Sequence, residues 1–286
     1  MTTASSVAPG RRALGQANAA AAMLLLVAGG MVTSTASGMA VPDWPLSYGQ
    51  WLPAMVGGVF YEHGHRVIAT FVGLLIVIMA FWTQFDETRP GVRRLAWWTL
   101  FLVILQGVLG GVTVFLNLPV AVSAAHATLG QTVFCLLVIM AELVGEGAAA
   151  PAAEEPAGRL RWRGILAVAA LWLQLVLGAV LRHGGAGVIW HILGAGVASS
   201  AAGVYGAAAL MRREADVRRP AAGLLLLLAS QLVLGLATLD FRSVPSPRTH
   251  PAMILIATTH LAVGALLLGT AVLLTFRLFR LPENAR

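Results

Sequence analysis

Four histidines lie inside long apolar stretches of the sequence, where an ionisable side chain is costly and usually has a function. Two imidazoles from neighbouring helices can hold a haem iron from both of its faces, and these residue types support that chemistry best. Zinc or copper also accepts imidazole, but would need further ligands that the sequence does not supply nearby. A lone buried histidine more often hydrogen-bonds a backbone carbonyl. Metal binding is favoured here only because four histidines occupy equivalent positions in two repeats. The four residues are His65, His126, His191 and His260.

The two halves of the chain repeat the same arrangement of residues. The interval from His65 to Gln106 nearly equals that from His191 to Gln231, and one further histidine follows each glutamine. Related segments, LQGVLGG and SQLVLGLAT, surround the two glutamines, and LQLVLGAV precedes His191. Self-similarity over such a distance indicates a duplicated structural unit. We therefore expect two related four-helix bundles, each with one histidine pair.

An acidic residue distinguishes the first half from the second. Glu62 stands three residues before His65, so both side chains lie on one face of a helix. A carboxylate one turn from an iron ligand can move protons or steer a reacting group. The alternative is a solvated acid near a helix start, which the helix dipole favours. Val188 stands at the equivalent position before His191, so the second half has no carboxylate there. This difference predicts that the reaction takes place at the first pair and that the second pair stores or transfers electrons.

Other polar residues near the histidines are candidates for supporting roles. Arg66 and Arg182 could each pair with a haem propionate, or could instead extend to the membrane surface as interfacial arginines. His63, His183 and His250 lie at the edges of loops, and we interpret them as solvated or accessory. The glutamine amides within the apolar stretches can bond across helices.

The composition indicates a membrane protein. Hydrophobic residues make up 58% of the 286 and charged residues 11%, whereas soluble domains carry about 25% charged residues. A membrane-spanning helix needs roughly 20 mostly apolar residues. We expect an all-α integral membrane protein with eight transmembrane helices. The predicted spans are 15–36, 62–84, 95–116, 120–144, 164–182, 187–211, 221–239 and 252–276. The predicted division is 1–144 for the N-terminal bundle, 145–163 for a cytoplasmic linker and 164–286 for the C-terminal bundle.

The arginines predict the orientation in the membrane. The chain has no lysine, and most of its 19 basic residues fall at the two termini, between the second and third spans, in the linker and between the sixth and seventh spans. The opposite side has only Arg66, Arg182, Arg242 and Arg248. Because cytoplasmic segments are enriched in arginine, we expect both termini in the cytoplasm and the histidines toward the outer face. We also expect the first apolar run to be a retained helix rather than a signal peptide.

Several segments resemble one family closely. These segments are SGMAVPDWPLSYGQWLP (37–53), EHGHR (62–66), LGAVLRHGGAGVIWH (177–191) and TTHLAVG (258–264). With them, the sequence resembles the heme A synthase family of cytochrome oxidase assembly proteins over about residues 20–276. Some bacterial relatives carry paired cysteines in outer loops, whereas this chain has only Cys135. Near Thr33 and Ser34, relatives often carry a basic residue.

The resemblance implies a specific reaction. Members oxidise a ring methyl of haem O to a formyl group, through successive hydroxylations, and so make haem A for cytochrome oxidase. The family's substrate haem site matches His65 and His126, and its catalytic carboxylate matches Glu62. The family's haem b site matches His191 and His260.

The resemblance also bears on location and partners. It implies a multi-pass protein of the bacterial plasma membrane that acts on haem O among membrane lipids, with a haem O synthase and an electron donor as candidate partners. The sequence is compatible with a homo-oligomer, and we expect no nucleic acid partner. The alternative function is a di-haem membrane cytochrome b that acts only in electron transfer, although Glu62, present in one half alone, argues against it.

Overall fold

The structure is a computed structural model that describes residues 9–145, 158–240 and 250–281. Within these ranges the chain forms eight α-helices and no β-strand. Each helix is long and apolar enough to cross a membrane, which confirms the expected all-α membrane fold. The helices are α1 (Pro9–Ser34), α2 (Gly58–Asp86), α3 (Pro90–Phe115), α4 (Val120–Gly145), α5 (Gly158–Gly184), α6 (Val188–Leu210), α7 (Ala215–Asp240) and α8 (Pro251–Arg280).

Local sequence explains where several helices begin. Pro90 and Pro251 occupy the first position of α3 and α8, where the missing N–H of proline removes no helical hydrogen bond. His250 accepts a hydrogen bond from the backbone N–H of Ala252 (3.3 Å) and so caps α8. Most helices are longer than the predicted spans, and α1 already begins at Pro9, because the helical hydrogen bonds continue through polar residues beyond the apolar stretch.

The predicted linker is shorter than the sequence suggested. α4 ends at Gly145 and α5 begins at Gly158, so residues 158–163 are helical rather than part of a linker. Residues 146–157 lie outside the described residues. The Arg161 side chain donates to the carbonyls of Leu278 (3.0 Å) and Leu281 (2.6 Å), which fixes the start of α5 against the end of α8.

The helices pack in two sets of four that share one seam. α1 and α3 both pack against α2 and α4, and α5 and α7 pack in the same way against α6 and α8. α1 and α4 contact α8, and α4 also contacts α5. An ion pair joins α8 to α4 across this seam. Arg277 Nη2 donates to Glu142 Oε2 at 2.9 Å. The division into two haem-binding domains stays a prediction.

Candidate functional site

Each of the four histidines lies against a glycine of the preceding helix. A Cβ atom added to any of these glycines would stand 3.0–3.2 Å from Cε1 of the facing imidazole, which is tighter than most real contacts. The missing side chain is therefore what admits the ring between the two helices. The four contacts are Gly29 with His65, Gly110 with His126, Gly178 with His191, and Gly235 with His260.

The histidines of each helix set lie near each other in the structure. That each pair binds a haem stays a prediction. His65 on α2 interacts electrostatically with His126 on α4. His260 on α8 interacts in the same way with His191 on α6. All four rings are largely shielded, as expected for polar groups that face the interior of a helix bundle.

Glutamine amides tie three of these histidines to the neighbouring helix. Gln106 Nε2 donates to the backbone carbonyl of His126 at 2.9 Å, and Gln174 Nε2 donates to that of His191 at the same distance. The Nδ1 atom of His126 also lies 3.1 Å from the backbone carbonyl of Gln106, so Nδ1–H can donate there, while its Nε2 lies 3.4 Å from the amide nitrogen of Gln106. Hydrogen bonds of this kind orient a histidine that binds a metal.

Glu62 and Arg66 form an ion pair that holds the α1–α2 loop, residues 35–57. Glu62 is buried, and its Oε2 accepts from the backbone N–H of Val41 at 2.9 Å. Arg66 donates to Glu62 (2.6 Å) and to the carbonyls of Asp43 and Leu46 (2.7 Å each). From the sequence, Glu62 is expected to act in catalysis and Arg66 to hold a propionate, and their ion pair was not expected. Their spacing of four residues on one helix was the available signal.

Further contacts hold the α1–α2 loop over one end of the first helix set. The Asp43 carboxylate accepts from the backbone N–H groups of Gly49 (2.8 Å) and Tyr48 (2.7 Å), and these bonds hold the pKa of Asp43 below its usual value. Trp44 packs so closely on Gly111 of α3 that a Cβ there would come within 2.7 Å of its ring. The loop is therefore a fixed cover rather than a loose connection.

Arg182 joins three helices near the seam. Its guanidinium donates to Ser34 Oγ (2.7 Å) and to the carbonyl of Gly30 (2.9 Å) on α1. It also reaches the carbonyl of Ala257 on α8 at 3.4 Å. No carboxylate within the described ranges pairs with it, and it lies close enough to His260 to interact electrostatically. Its positive charge therefore suits an anionic group beside the second histidine pair.

Two of the three accessory histidines, His63 and His183, have partners within the helix sets and their loops. His63 is buried beneath the α1–α2 loop, with its Nδ1 2.8 Å from Ser47 Oγ. His183, near the end of α5, interacts electrostatically with His126, which links the second helix set to the first histidine pair. These contacts give both residues partners that their loop-edge positions in the sequence did not reveal.

The residues present fit haem by type and placement. Four imidazoles form two pairs, each ring lies against a glycine that leaves it room, and His126 directs Nδ1 to a carbonyl. A cavity of about 220 Å³ lies elsewhere, beside Trp97 and Trp98, and another of about 80 Å³ lies between α4 and α8. The fit thus rests on the ligand set and the glycines, not on either of these cavities.

Comparisons with known proteins identify a family and several relatives of this chain. The family model described as cytochrome oxidase assembly protein matches residues 56–200, a range that includes His65, His126 and His191. The heme A synthase of Symbiobacterium thermophilum is 34% identical over 185 residues, covering 61% of this chain and 60% of that protein.

Two further relatives are also heme A synthases. The heme A synthase of Shouchella clausii is 28% identical over 179 residues, covering 61% of this chain and 60% of that protein. The heme A synthase of an Exiguobacterium species is 31% identical over 169 residues, with 57% and 55% covered. The matched part of the chain therefore spans 60% or less of the length of these three relatives.

Proposed function

This chain belongs to the cytochrome oxidase assembly protein family, and we propose that it oxidises the ring methyl of haem O to the formyl group of haem A. The observation that carries the proposal is the presence of two histidine pairs on helices α2, α4, α6 and α8, each ring set against a glycine. Paired imidazoles are the ligands that a helix bundle offers to a haem iron. The similarity to heme A synthases from three bacteria supports the choice of reaction.

We assign the substrate haem O to His65 and His126, and a resident haem b to His191 and His260. Glu62 supports this division, because it stands one helical turn from His65 and has Val188 as its counterpart in the second half. When bound, haem b would supply a one-electron redox centre. Arg182 would hold a propionate at the second site, since its guanidinium interacts electrostatically with His260 and has no carboxylate partner in the described part of the chain.

Glu62 is the proposed catalytic carboxylate. Its two oxygens are held by Arg66 and by the backbone N–H of Val41, which fix the carboxylate between the α1–α2 loop and the helix that carries His65. A carboxylate held in this way can accept a proton at Oε1 or Oε2 from a group that reacts beside the first histidine pair. Arg66, which donates to two loop carbonyls, would then orient Glu62 and the loop rather than bind a propionate.

The same proposal extends to the membrane. We place both termini in the cytoplasm of a bacterium and both histidine pairs toward the outer face of its plasma membrane, because arginine is concentrated in the segments on the opposite side. Haem O would reach the first pair from a haem O synthase or from the surrounding lipid. Each hydroxylation would need an oxygen atom, either from dioxygen together with an electron donor or from water together with an electron acceptor.

The alternative is a di-haem cytochrome b that only transfers electrons. One observation favours it: all four histidines make the same contact with a glycine, so the two helix sets offer closely similar ligands. The two functions differ in what they bind and release. An electron carrier keeps the same haem b in both sites, whereas the enzyme binds haem O at one site and converts it.

The test is the identity of the bound haems. The chain is expressed in a host that makes haem O, and the haems extracted from the purified protein are identified by mass. We expect haem b together with haem O or haem A. Glu62→Gln should retain haem but lower formation of the formyl product by about a hundredfold or more, while Asp86→Asn, at the far end of α2, should leave it unchanged. Haem b in both sites, with no haem A formed, would overturn the proposal.

A further inference from the structure

An open groove lies on α3, near the end of the first helix set where α2 meets α3. It has a volume of about 220 Å³ and opens outward from the molecule. Its four lining side chains recur at intervals of three or four residues, so they share one face of the helix. This α3 groove is lined by Arg94, Trp97, Trp98 and Phe101.

The aromatic walls of the α3 groove are held in place by neighbouring side chains. Trp97 Nε1 donates to Gln84 Oε1 at 2.9 Å, and the Trp97 ring meets Phe81 edge to face with 5.4 Å between centroids. Trp98 packs edge to face on Phe101, with 5.6 Å between centroids. Aromatic pairs favour this arrangement, so the groove is formed before any ligand arrives.

Arg94 gives the α3 groove a positive charge that the protein does not neutralise. Its neighbours Arg89 and Arg93 both bond Glu87, whereas Arg94 is exposed and bonds no residue within the described ranges. Segments 9–15 and 84–95, joined here by the ion pair of Arg11 with Asp86, together carry five arginines and two carboxylates. The groove therefore suits an anionic ligand.

The order of side chains along α3 matches that of a phospholipid. A rise of 1.5 Å per residue puts Arg94 about 10 Å from Phe101 along the helix axis. Beyond Phe101 the same face continues with the exposed side chains of Leu105 and Val108. Charge, indole and aliphatic surface thus follow one another as phosphate, glycerol ester and acyl chain do. A small soluble anion would leave the apolar part of this face unfilled.

The second helix set has the arginine without the aromatic walls. When Gln231 is aligned with Gln106, Arg94 corresponds to Arg219 on α7. An arginine in both sets is expected for spans whose ends lie on the cytoplasmic side. The aromatic residues have no such general explanation, because their counterparts on α7 are small or aliphatic. These counterparts are Ala222, Gly223 and Leu226.

We propose that the α3 groove binds one anionic phospholipid, with its phosphate on Arg94 and an acyl chain against Trp98 and Phe101. A guanidinium can donate two parallel hydrogen bonds to a phosphate. Arginine near a membrane surface attracts anionic headgroups, and indole rings are typical of the headgroup level. The excess of arginine at this end favours a headgroup with a net negative charge over a zwitterionic one. Lipid binding here requires neither haem nor the proposed reaction.

Native mass spectrometry of the purified full-length protein tests the proposal. The protein is mixed with equal amounts of phosphatidylglycerol and phosphatidylcholine that carry the same acyl chains. We expect one retained lipid, with phosphatidylglycerol preferred. Arg94→Gln should reduce this preference about fivefold, the effect of one arginine near a charged surface, and Arg94→Lys should keep most of it. Trp98→Ala should lower the binding of both lipids without changing the preference between them.

Arg219→Gln is the matched control, because it removes the corresponding exposed arginine where the aromatic walls are absent. It should leave the lipid preference unchanged, and equal melting temperatures would show that both glutamine variants fold. Equal binding of the two lipids by the unmodified protein would overturn the proposal, as would an equal loss of preference in Arg94→Gln and Arg219→Gln. A dimer that holds no lipid and dissociates on Trp98→Ala would assign the groove to a second copy of the chain and would also overturn it.

Discussion

The guanidinium of Arg66 and the carboxylate of Glu62 form a buried ion pair, with 2.6 Å between Nη2 and Oε1. Both residues lie on α2 beside His65, and both also bond the backbone of the α1–α2 loop. The pair therefore couples the position of that loop to the helix that carries the first haem ligand. Glu62 therefore has two roles. Its carboxylate is proposed to act in the reaction, and it also holds the α1–α2 loop in place.

Arg66→Gln should destabilise the protein strongly. It leaves the Glu62 carboxylate buried without its counter-charge, which costs about 3 kcal/mol. Unfolding in detergent measures the change, and proteolysis within residues 35–57 reports whether the loop has loosened. The double variant Glu62→Gln/Arg66→Gln should recover part of the loss, because no charge is then left unpaired. Equal stability of the single and double variants would show that the ion pair does not hold the loop.

Gly178→Ala should disturb the second histidine pair. The added Cβ would stand 3.0 Å from Cε1 of His191, so the ring or the helix must move. Overpacking of this kind costs about 1–3 kcal/mol, and we expect the haem content of the second site to fall several-fold. Gly196→Ala, where the space around the glycine is open, is the matched control. Full haem content in both variants would mean that the glycine is not required for the ligand to bind.

The eight helices could be predicted from the sequence because each span is a long apolar run, and a bilayer requires such runs to be helical. Their ends could not. Hydropathy changes where the membrane ends, whereas α1 continues back to Pro9 and α5 begins at Gly158 because the helical hydrogen bonds extend past the membrane. His250, assigned to a loop edge, caps α8 for a reason that lies in backbone geometry.

The four histidines could be singled out from the sequence, but the residues that contact them could not. Histidines within apolar runs are recognisable as functional candidates, because ionisable residues are rare in membrane helices. The contact of Gly29 with His65 depends on which faces of α1 and α2 pack together. A membrane helix is hydrophobic on all sides, so its sequence does not indicate which face packs against a neighbour. Arg182 is a similar case: its partners Ser34 and Gly30 lie far away in the sequence, and only the packing of α5 on α1 brings them together.

Arg182→Gln should weaken the seam between the helix sets. The guanidinium donates to Ser34 Oγ and to the carbonyl of Gly30, and charge-assisted hydrogen bonds of this kind contribute about 1.5–3 kcal/mol each. We expect a loss of about 2 kcal/mol in the unfolding free energy, with Arg182→Lys losing less because an ammonium can keep one of these bonds. A glutamine variant as stable as the lysine variant would contradict a role for the charge.

Glu87, between α2 and α3, should make stability depend on acid pH. A hydrogen bond from Arg89 lowers the pKa of Glu87 from an ordinary value of 4.5 to about 2. Because the folded protein holds this proton less tightly than the unfolded chain, the ionised carboxylate stabilises the fold at neutral pH. That contribution should be present above pH 4.5 and disappear as the pH falls toward 2.

The melting temperature in detergent, measured across this pH range, tests the prediction. Glu87→Gln should flatten the acid limb of the curve, because the glutamine side chain does not titrate. Asp86→Asn removes a neighbouring carboxylate that is half exposed and lies farther from its arginine partner, so it should leave most of the limb in place. If the two variants flatten the curve equally, the acid dependence arises from other carboxylates rather than from the bond between Glu87 and Arg89.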